Sequence, residues 1–159
     1  MNEPVGARRH DDDGTGERLL IAPDPAYIER AFDHAKYGRC SSDPALEITI
    51  PSVHDHTLAP AGRHVLSAIV QYAPYDVRAS SAAARAGFLE TTLSLLECYA
   101  PGLRRQVVAS ELLLPIDIER EFRITGGHWH HGELSIDQFL MLRPVPGAAQ
   151  YAMPVNGLY

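Results

Sequence analysis

Two short apolar segments, each followed by a proline, constrain the fold of this chain more than any other feature. Residues 46–50 (LEITI) alternate between apolar and polar positions before Pro51, and residues 64–72 (HVLSAIVQY) form a longer apolar run closed by Pro74. Alternation and β-branched residues are typical of strands. A connection of about a dozen residues suits an antiparallel pair. We therefore predict two paired strands, the second buried on both faces over part of its length.

A short strand and a helix are predicted before this pair. Residues 19–21 are an apolar run ended by Pro23, and Asp24 or Pro25 can open a helix that Gly38 stops. Helical spacing predicts one buried face for this helix. The apolar positions of that face are Tyr27, Ile28, Ala31, Phe32 and Ala35.

A longer helix and two further elements are predicted after the pair. Ser80 or Ser81 can cap a helix that runs to about Tyr99, with Cys98 near its apolar face and therefore in the core. Its apolar face comprises Phe88, Leu89, Thr92, Leu93, Leu95, Leu96 and Tyr99. The later elements are a strand over residues 107–114 and helices over residues 116–122 and 135–142, the last a short helix or turn.

These elements follow the order β-α-β-β-α-β-α, which predicts an α+β fold. The sheet is expected to be small, mixed or mainly antiparallel, and flanked by helices. The length of 159 residues suits one domain. Residues 1–17 are polar and predict a disordered lead-in, so the domain is expected over residues 18–159.

Composition narrows the expected partners and location. The formal charge of −6 argues against nucleic acid or anionic lipid as a partner. Cys40 and Cys98 are far apart and form no CxxC motif, which favours a reduced, cytoplasmic setting. Residues 1–16 lack the apolar region of a signal peptide, and no apolar run reaches the length of a transmembrane segment.

The sequence contains no recognisable dinucleotide-binding motif. Such a site needs Gly-x-Gly-x-x-Gly between a strand and a helix, where the backbone approaches the pyrophosphate. Gly14 and Gly16 come nearest, but the third position of the motif is Leu19. A P-loop, a Gly-x-Ser-x-Gly elbow and a zinc ribbon are also missing from the sequence.

The densest group of chemically active side chains lies at residues 126–133 (GGHWHHGE). His and Glu side chains suit zinc or iron, and an extended backbone would turn His128 and His130 to the same side. No distant motif completes a metal site, so His54, His56 and His64 are only candidate additional ligands. A locally packed loop and a loop lining a cofactor or substrate cavity are the other two interpretations.

Three weaker features each have a purely structural interpretation as well as a functional one. His54-Asp55-His56 resembles a ligand pair but is typical of a solvated loop. A charged helix face, expected to be solvated or locally paired, is formed by Asp117, Glu119, Arg120 and Glu121. Arg143, before a Pro-rich segment, could hold a phosphate or carboxylate, or could simply lie on the surface.

Several phrases of the chain resemble a known family. They are residues 26–38 (AYIERAFDHAKYG), 46–75, 97–103 (ECYAPGL), 113–147 and 154–159 (PVNGLY). Taken in this order, they are similar to the C-terminal half of the phytoene-desaturase-like flavoproteins, near the pyridine nucleotide-disulfide oxidoreductase domain-containing protein 2 branch. Residues 78–92 match this family poorly, and residues 1–17 do not match it.

The resemblance implies an amine-oxidase-like fold. In such proteins a split Rossmann-type FAD domain is interleaved with a substrate domain, and this chain matches the substrate domain. The family's Gly-rich FAD fingerprint and its second flavin-contacting stretch lie outside the matched residues. The turn and strand signals of residues 154–159 agree with the expectation of a truncated domain. The resemblance places these residues nearest the flavin or the substrate cavity: Gly126, Gly127, Trp129, His131, Gly132, Asp137, Gln138 and Arg143.

The expected function is therefore the substrate-side portion of an FAD-dependent oxidoreductase, inactive alone. FAD would take hydride or electrons from an organic substrate, with an apolar one among the options. No catalytic residue and no metal ligand is assigned. A separate FAD-domain chain, or self-association through an uncovered apolar face, is an expected partner. A non-enzymatic α+β binding module and a His-cluster metalloprotein are the alternatives.

Overall fold

The computed structural model of the chain describes residues 18–75, 81–128, 130, 136, 147 and 155–157. The chain divides into two compact units, with the boundary between Ile116 and Asp117. A single domain over residues 18–159 stays a prediction, because the second unit is described only in part. None of the described helices combines the length and the hydropathy that a bilayer span requires.

A three-stranded antiparallel sheet organises the first unit. Its strands are β1 (Leu19–Ile21), β2 (Ala45–Thr49) and β3 (Ser67–Gln71), arranged in the order β1-β2-β3. The predicted antiparallel pairing of the two apolar segments is confirmed. With the three helices of the described chain, the sheet makes this an α+β fold, as predicted.

One face of the sheet carries the core. Leu46 lies opposite Ile21 in β1 and Val70 in β3, so all three side chains share a face. Ile48 lies two residues further along β2 on the same face, and Leu96 from the long helix completes the buried cluster. β2 is the central strand, so the apolar side chains on its core face have β1 and β3 on either side and Leu96 of the long helix over them. Leu46 is consequently fully buried.

The opposite face of the sheet is more polar. Alternation places Leu20, Glu47 and Ile69 together there. Leu20 is 68% exposed, and Glu47 forms an ion pair with Arg18. β3 has one exposed residue followed by four half-buried ones, so the prediction that this strand is buried on both faces over part of its length is wrong.

Helix α1 (Pro25–Lys36) begins and ends as the sequence predicts. The Asp24 side chain accepts a hydrogen bond from the backbone N–H of Tyr27 at 2.7 Å, and Gly38 adopts a φ of 71° just after the helix. The predicted buried face is only partly confirmed. Ala31 is buried, whereas Phe32 is 50% exposed.

Two contacts hold α1 against one end of the sheet. The Tyr27 hydroxyl donates to the carbonyl of Pro44 at 3.1 Å, just before β2. The rings of Phe32 and Tyr72 meet edge to face, with centroids 5.4 Å apart, just after β3. Helix α1 is therefore attached where β2 begins and β3 ends.

Helix α2 (Ala82–Tyr99) supplies the other half of the core. Ser81 caps it by accepting a hydrogen bond from the backbone N–H of Ala84 at 3.2 Å. Phe88, Thr92 and Leu96 recur every four residues and are its buried positions. The predicted cap and apolar face are confirmed.

The predicted core position of Cys98 is wrong, because this side chain is exposed. Helical geometry turns successive residues by about 100°, so Cys98 lies about 200° away from Leu96. Leu96 points into the core cluster, and Cys98 consequently faces away from it.

The predicted strand at residues 107–114 is also wrong, since the described residues show no ladder there. Val108 is 75% exposed, while Leu114 is buried. The carbonyl of Leu112 accepts a hydrogen bond from the Arg85 guanidinium at 3.3 Å. The segment is therefore an extended connection fastened to α2, and it leads into α3 (Pro115–Phe122), which the sequence predicts.

Candidate functional site

The glycine pair of the predicted site forms a short turn after α3. Residues Thr125–Gly127 make a single 3-10 turn, in which the N–H of Gly127 donates to the carbonyl of Ile124 at 2.8 Å. The Glu119 carboxylate in α3 accepts a hydrogen bond from the N–H of Gly126 at 3.1 Å. The helix and the turn are thereby joined in one structural element of the second unit.

Both glycines adopt backbone conformations that side chains disfavour. The φ angles of Gly126 and Gly127 are 69° and 64°, in the left-handed region that glycine enters without penalty. A Cβ atom on Gly126 would meet nothing within 4 Å. Gly126 is therefore needed for the backbone turn itself, whereas a close approach by another part of the described chain plays no role there.

His128 and His130 lie together after this turn. The backbone N–H of His130 donates to Nδ1 of His128 at 3.2 Å, and the two ring centroids are 5.5 Å apart. The prediction that they turn to the same side is confirmed. Because Nδ1 of His128 accepts this bond, a neutral His128 carries its proton on Nε2. Within the described ranges, no group of three or more His, Cys, Asp and Glu residues could hold a metal ion.

The structure locates only part of the predicted site. Gly126 and Gly127 are described, and they are adjacent in the turn. The other predicted site residues lie outside the described residues, so their placement around a cavity stays a prediction. They are Trp129, His131, Gly132, Asp137, Gln138 and Arg143.

The acidic face of α3 is locally paired, as predicted. The Arg120 guanidinium donates to the Asp117 carboxylate at 3.1 Å. The Asp117 side chain is buried, although the sequence pattern gave no indication of this. Glu119 has a more specific role than solvation, because it holds the Gly126 amide. A hydrogen bond from a backbone N–H to a carboxylate seven residues earlier has no reliable sequence signal.

An open cleft of about 590 Å³ lies between the residues after α1 and the first half of α2. Sequence reasoning did not find it. Tyr37, Cys40, Phe88 and Gly87 are among its lining residues. Burial raises the pKa of the Cys40 thiol, which keeps it protonated and makes it a poor nucleophile. The wall of the cleft therefore contains aromatic and small side chains, and none of these four lining residues is an activated nucleophile.

The His54-Asp55-His56 segment is exposed, as predicted for a solvated loop. The Asp55 carboxylate accepts hydrogen bonds from the N–H of Thr57 at 2.9 Å and from its hydroxyl at 2.6 Å. These bonds, the hydroxyl's first, hold the pKa of Asp55 below its usual value. Asp55 thus serves as the cap of the 3-10 turn His56–Leu58.

The connection between β1 and α1 does not fit the pyrophosphate of FAD. A dinucleotide site places a Gly-rich turn between a strand and the N-terminus of a helix. Between β1 and α1 the chain has Ala22 and Pro23, and the Asp24 carboxylate already occupies the helix N-terminus. A negative charge at this place repels a phosphate. Gly14 and Gly16 lie outside the described residues.

Comparisons with known proteins give two informative relatives. The chain is similar to the protein of Mus musculus named pyridine nucleotide-disulfide oxidoreductase domain-containing protein 2, with 41% identity over 143 residues. The Rattus norvegicus protein of the same name is 40% identical over 143 residues. These matches cover 88% of this chain and 25% of each relative. No protein-family model and no solved structure matches the chain.

The resemblance predicted from the sequence phrases is confirmed at the level of these homologues. The chain spans about a quarter of the length of the relatives it matches. The finer assignments, phytoene-desaturase-like and amine-oxidase-like, stay predictions.

Proposed function

We propose that this chain is the substrate-side portion of an FAD-dependent oxidoreductase and is inactive by itself. The observation that carries the proposal is its 41% identity, over most of its own length, to a quarter of a mouse protein named for an oxidoreductase domain. In the complete enzyme FAD would take hydride or electrons from an organic substrate. This chain would contribute part of the chamber in which the substrate lies.

The described fold is better suited to lining the substrate chamber than to binding the nucleotide part of the flavin. The connection between β1 and α1 places an aspartate where a phosphate would need positive charge. The described sheet is small and has one well-covered face, formed around Leu46 and Leu96. Such a unit is suited to forming a wall, and we propose that the nucleotide is held by other parts of the enzyme.

The proposed cavity wall is the turn at Gly126 and Gly127 and the residues that follow it. The hydrogen bond from the Gly126 amide to Glu119 fixes the start of this loop. We propose that Trp129, His131, Gly132, Asp137, Gln138 and Arg143 complete the wall. No catalytic base is assigned among them.

The wild-type chain provides the first test. The purified 159-residue chain is mixed with FAD, separated from free flavin by gel filtration, and measured for its visible absorbance. We expect weak or undetectable flavin retention. One FAD per chain would contradict the proposal, because it would place the nucleotide-gripping elements within these residues.

A chimera provides the second test. The aligned segment of the mouse relative is replaced by this chain, and flavin content and the shape of the flavin absorption band are recorded. We expect bound flavin, and a changed band when Gly127→Ala is introduced. Gly102→Ala is the matched control, because Gly102 also has a positive φ, 92°, but lies after α2. A folded chimera without flavin would favour a non-enzymatic interaction module, and equal bands for both variants would contradict the placement of the loop beside the flavin.

A further inference from the structure

A second cleft, of about 340 Å³, is formed by the connection between β2 and β3. This connection contains two 3-10 turns, Pro51–Val53 and His56–Leu58, and folds back so that both of its ends meet. The charged or titratable side chains that line the cleft are His56, Arg63 and His64. No carboxylate is among the residues that line it.

Ser52 is the buried centre of this connection, with only 2% of its surface exposed. Its hydroxyl oxygen accepts a hydrogen bond from the N–H of Val65 at 3.0 Å and lies 3.2 Å from Nδ1 of His64. The hydroxyl can donate its own proton to this Nδ1 atom while it accepts from Val65. In that arrangement a neutral His64 carries its proton on Nε2.

His56 forms its hydrogen bond with the backbone of the same serine, and in this bond the imidazole is the donor. Its Nδ1 lies 3.1 Å from the carbonyl oxygen of Ser52. A carbonyl only accepts, so Nδ1 of His56 must donate and a neutral His56 has a lone pair on Nε2. Neutral His64 therefore offers a hydrogen-bond donor, whereas His56 offers a second donor only after it takes up a proton.

Arg63 adds a permanent positive charge. No salt bridge to Arg63 is found among the described residues. The nearest carboxylate along the chain, that of Asp55, is engaged by Thr57. His54 is the other titratable residue of this connection. A guanidinium beside two imidazoles favours an oxyanion over a metal cation, because the fixed positive charge repels a cation.

We propose that this cleft binds an oxyanion group, carboxylate or phosphate, through the Arg63 guanidinium, the Nε2–H of His64 and the protonated imidazole of His56. Ser52 is a positioning residue, since its hydroxyl and carbonyl orient the two rings. The site is independent of the proposed oxidoreductase function, because it uses only residues of the β2–β3 connection. Because the site uses the protonated form of His56, anion binding should strengthen on acidification.

The test titrates the full chain with sulfate and with acetate, whose charges are constant between about pH 6 and pH 8, while amide and imidazole NMR signals are recorded. We expect saturable shifts at His56 and His64, with tighter binding at the lower pH. Tighter sulfate binding would point to a phosphate-bearing ligand, and tighter acetate binding to a carboxylate. No saturable shift with either anion would overturn the proposal.

Matched variants separate the site from general charge effects. We expect Arg63→Gln to weaken binding about tenfold, the loss of one charge-assisted hydrogen bond. Arg30→Gln, which removes the same charge from the exposed side of α1, should leave binding within about twofold. His56→Gln should weaken the pH dependence, because one of the two imidazoles of the site is lost, and His54→Gln should retain it in full. Equal effects of the two arginine variants, or tight zinc binding by the wild-type chain, would contradict an oxyanion site.

Discussion

The Glu119 carboxylate in α3 accepts a hydrogen bond from the backbone N–H of Gly126 at 3.1 Å, and this bond fixes the start of the proposed cavity loop. Glu119→Ala removes the acceptor and leaves the amide without its charged partner. We expect hydrogen exchange at the Gly126 amide to accelerate about tenfold, since such a bond contributes about 1.5 kcal/mol or more. Glu121→Ala, at an exposed position in the same helix, is the control. Equal acceleration in both variants would show that Glu119 does not hold the turn.

The positive φ of Gly126 predicts a graded response to substitution. Gly126→Ala should destabilise the turn by about 1–2 kcal/mol, because a Cβ atom is disfavoured at a φ of 69°. Gly126→Asn should cost less, since asparagine tolerates this region better. No steric clash contributes, because the added atom meets nothing within 4 Å. Hydrogen exchange at the Gly127 amide, which closes the turn, measures the effect.

Gly87→Ala is the matched control for that series. Gly87 lies inside α2 without a positive φ, and its added Cβ would also meet nothing within 4 Å. Alanine is the better helix former, so we expect this variant to be more stable than wild type by about 0.5–1 kcal/mol. Destabilisation by both alanine variants would contradict the backbone explanation for Gly126.

The core of the first unit predicts that two leucines contribute very differently to the free energy of unfolding. Leu46 is fully buried in β2 beside Ile21 and Leu96, whereas Leu20 in β1 is largely exposed on the other face. Leu46→Ala should therefore lower the free energy of unfolding by about 2–5 kcal/mol. Leu20→Ala should change it by less than about 0.5 kcal/mol. Urea denaturation followed by circular dichroism measures both, and similar losses would contradict the assignment of the core face.

Local patterns in the sequence were sufficient to predict much of the fold. Asp24 and Ser81 are capping residues whose signal lies within three positions of the amide they bind. The antiparallel pairing of β2 with β3 followed from alternation and a short connection. The segment at residues 107–114 was misassigned because apolar composition predicts an extended backbone without revealing whether a partner strand is available.

The arrangement of the sites was much less predictable. The link from His56 through Ser52 to His64 depends on how the β2–β3 connection folds back, and spacing along the chain does not show this. The sequence predicted a loop at residues 126–133, but it predicted neither the 3-10 turn at Gly126 nor the bond of that turn to Glu119. Cys98 was misplaced because apolar residues surround it in the sequence, although the helical rotation from Leu96 turns it away from the core.

The end of α2 predicts a pH-dependent contribution to stability. The Glu97 carboxylate accepts hydrogen bonds from the N–H of Arg104 at 2.9 Å and from the N–H of Gly102 at 2.7 Å, with a different oxygen for each. These backbone bonds, that of Arg104 first, hold the pKa of Glu97 below its ordinary value of 4.5. A lowered pKa means that the folded state favours the ionised carboxylate. Glu97 therefore stabilises the fold above about pH 4.5, and this contribution disappears as the pH falls through its folded pKa.

Glu97→Gln isolates this effect. Glutamine keeps one acceptor oxygen but presents an NH₂ group to the second backbone N–H, so the variant should unfold at a lower temperature than wild type at pH 7. The difference should shrink as the pH falls below 4.5, where the wild-type carboxylate takes up its proton. Glu90, whose pKa is lowered chiefly by its hydrogen bond from Arg104, titrates in both proteins and cancels in the comparison. A difference in melting temperature that stays constant from pH 7 to about pH 3 would show that the ionised carboxylate contributes nothing beyond what the amide supplies.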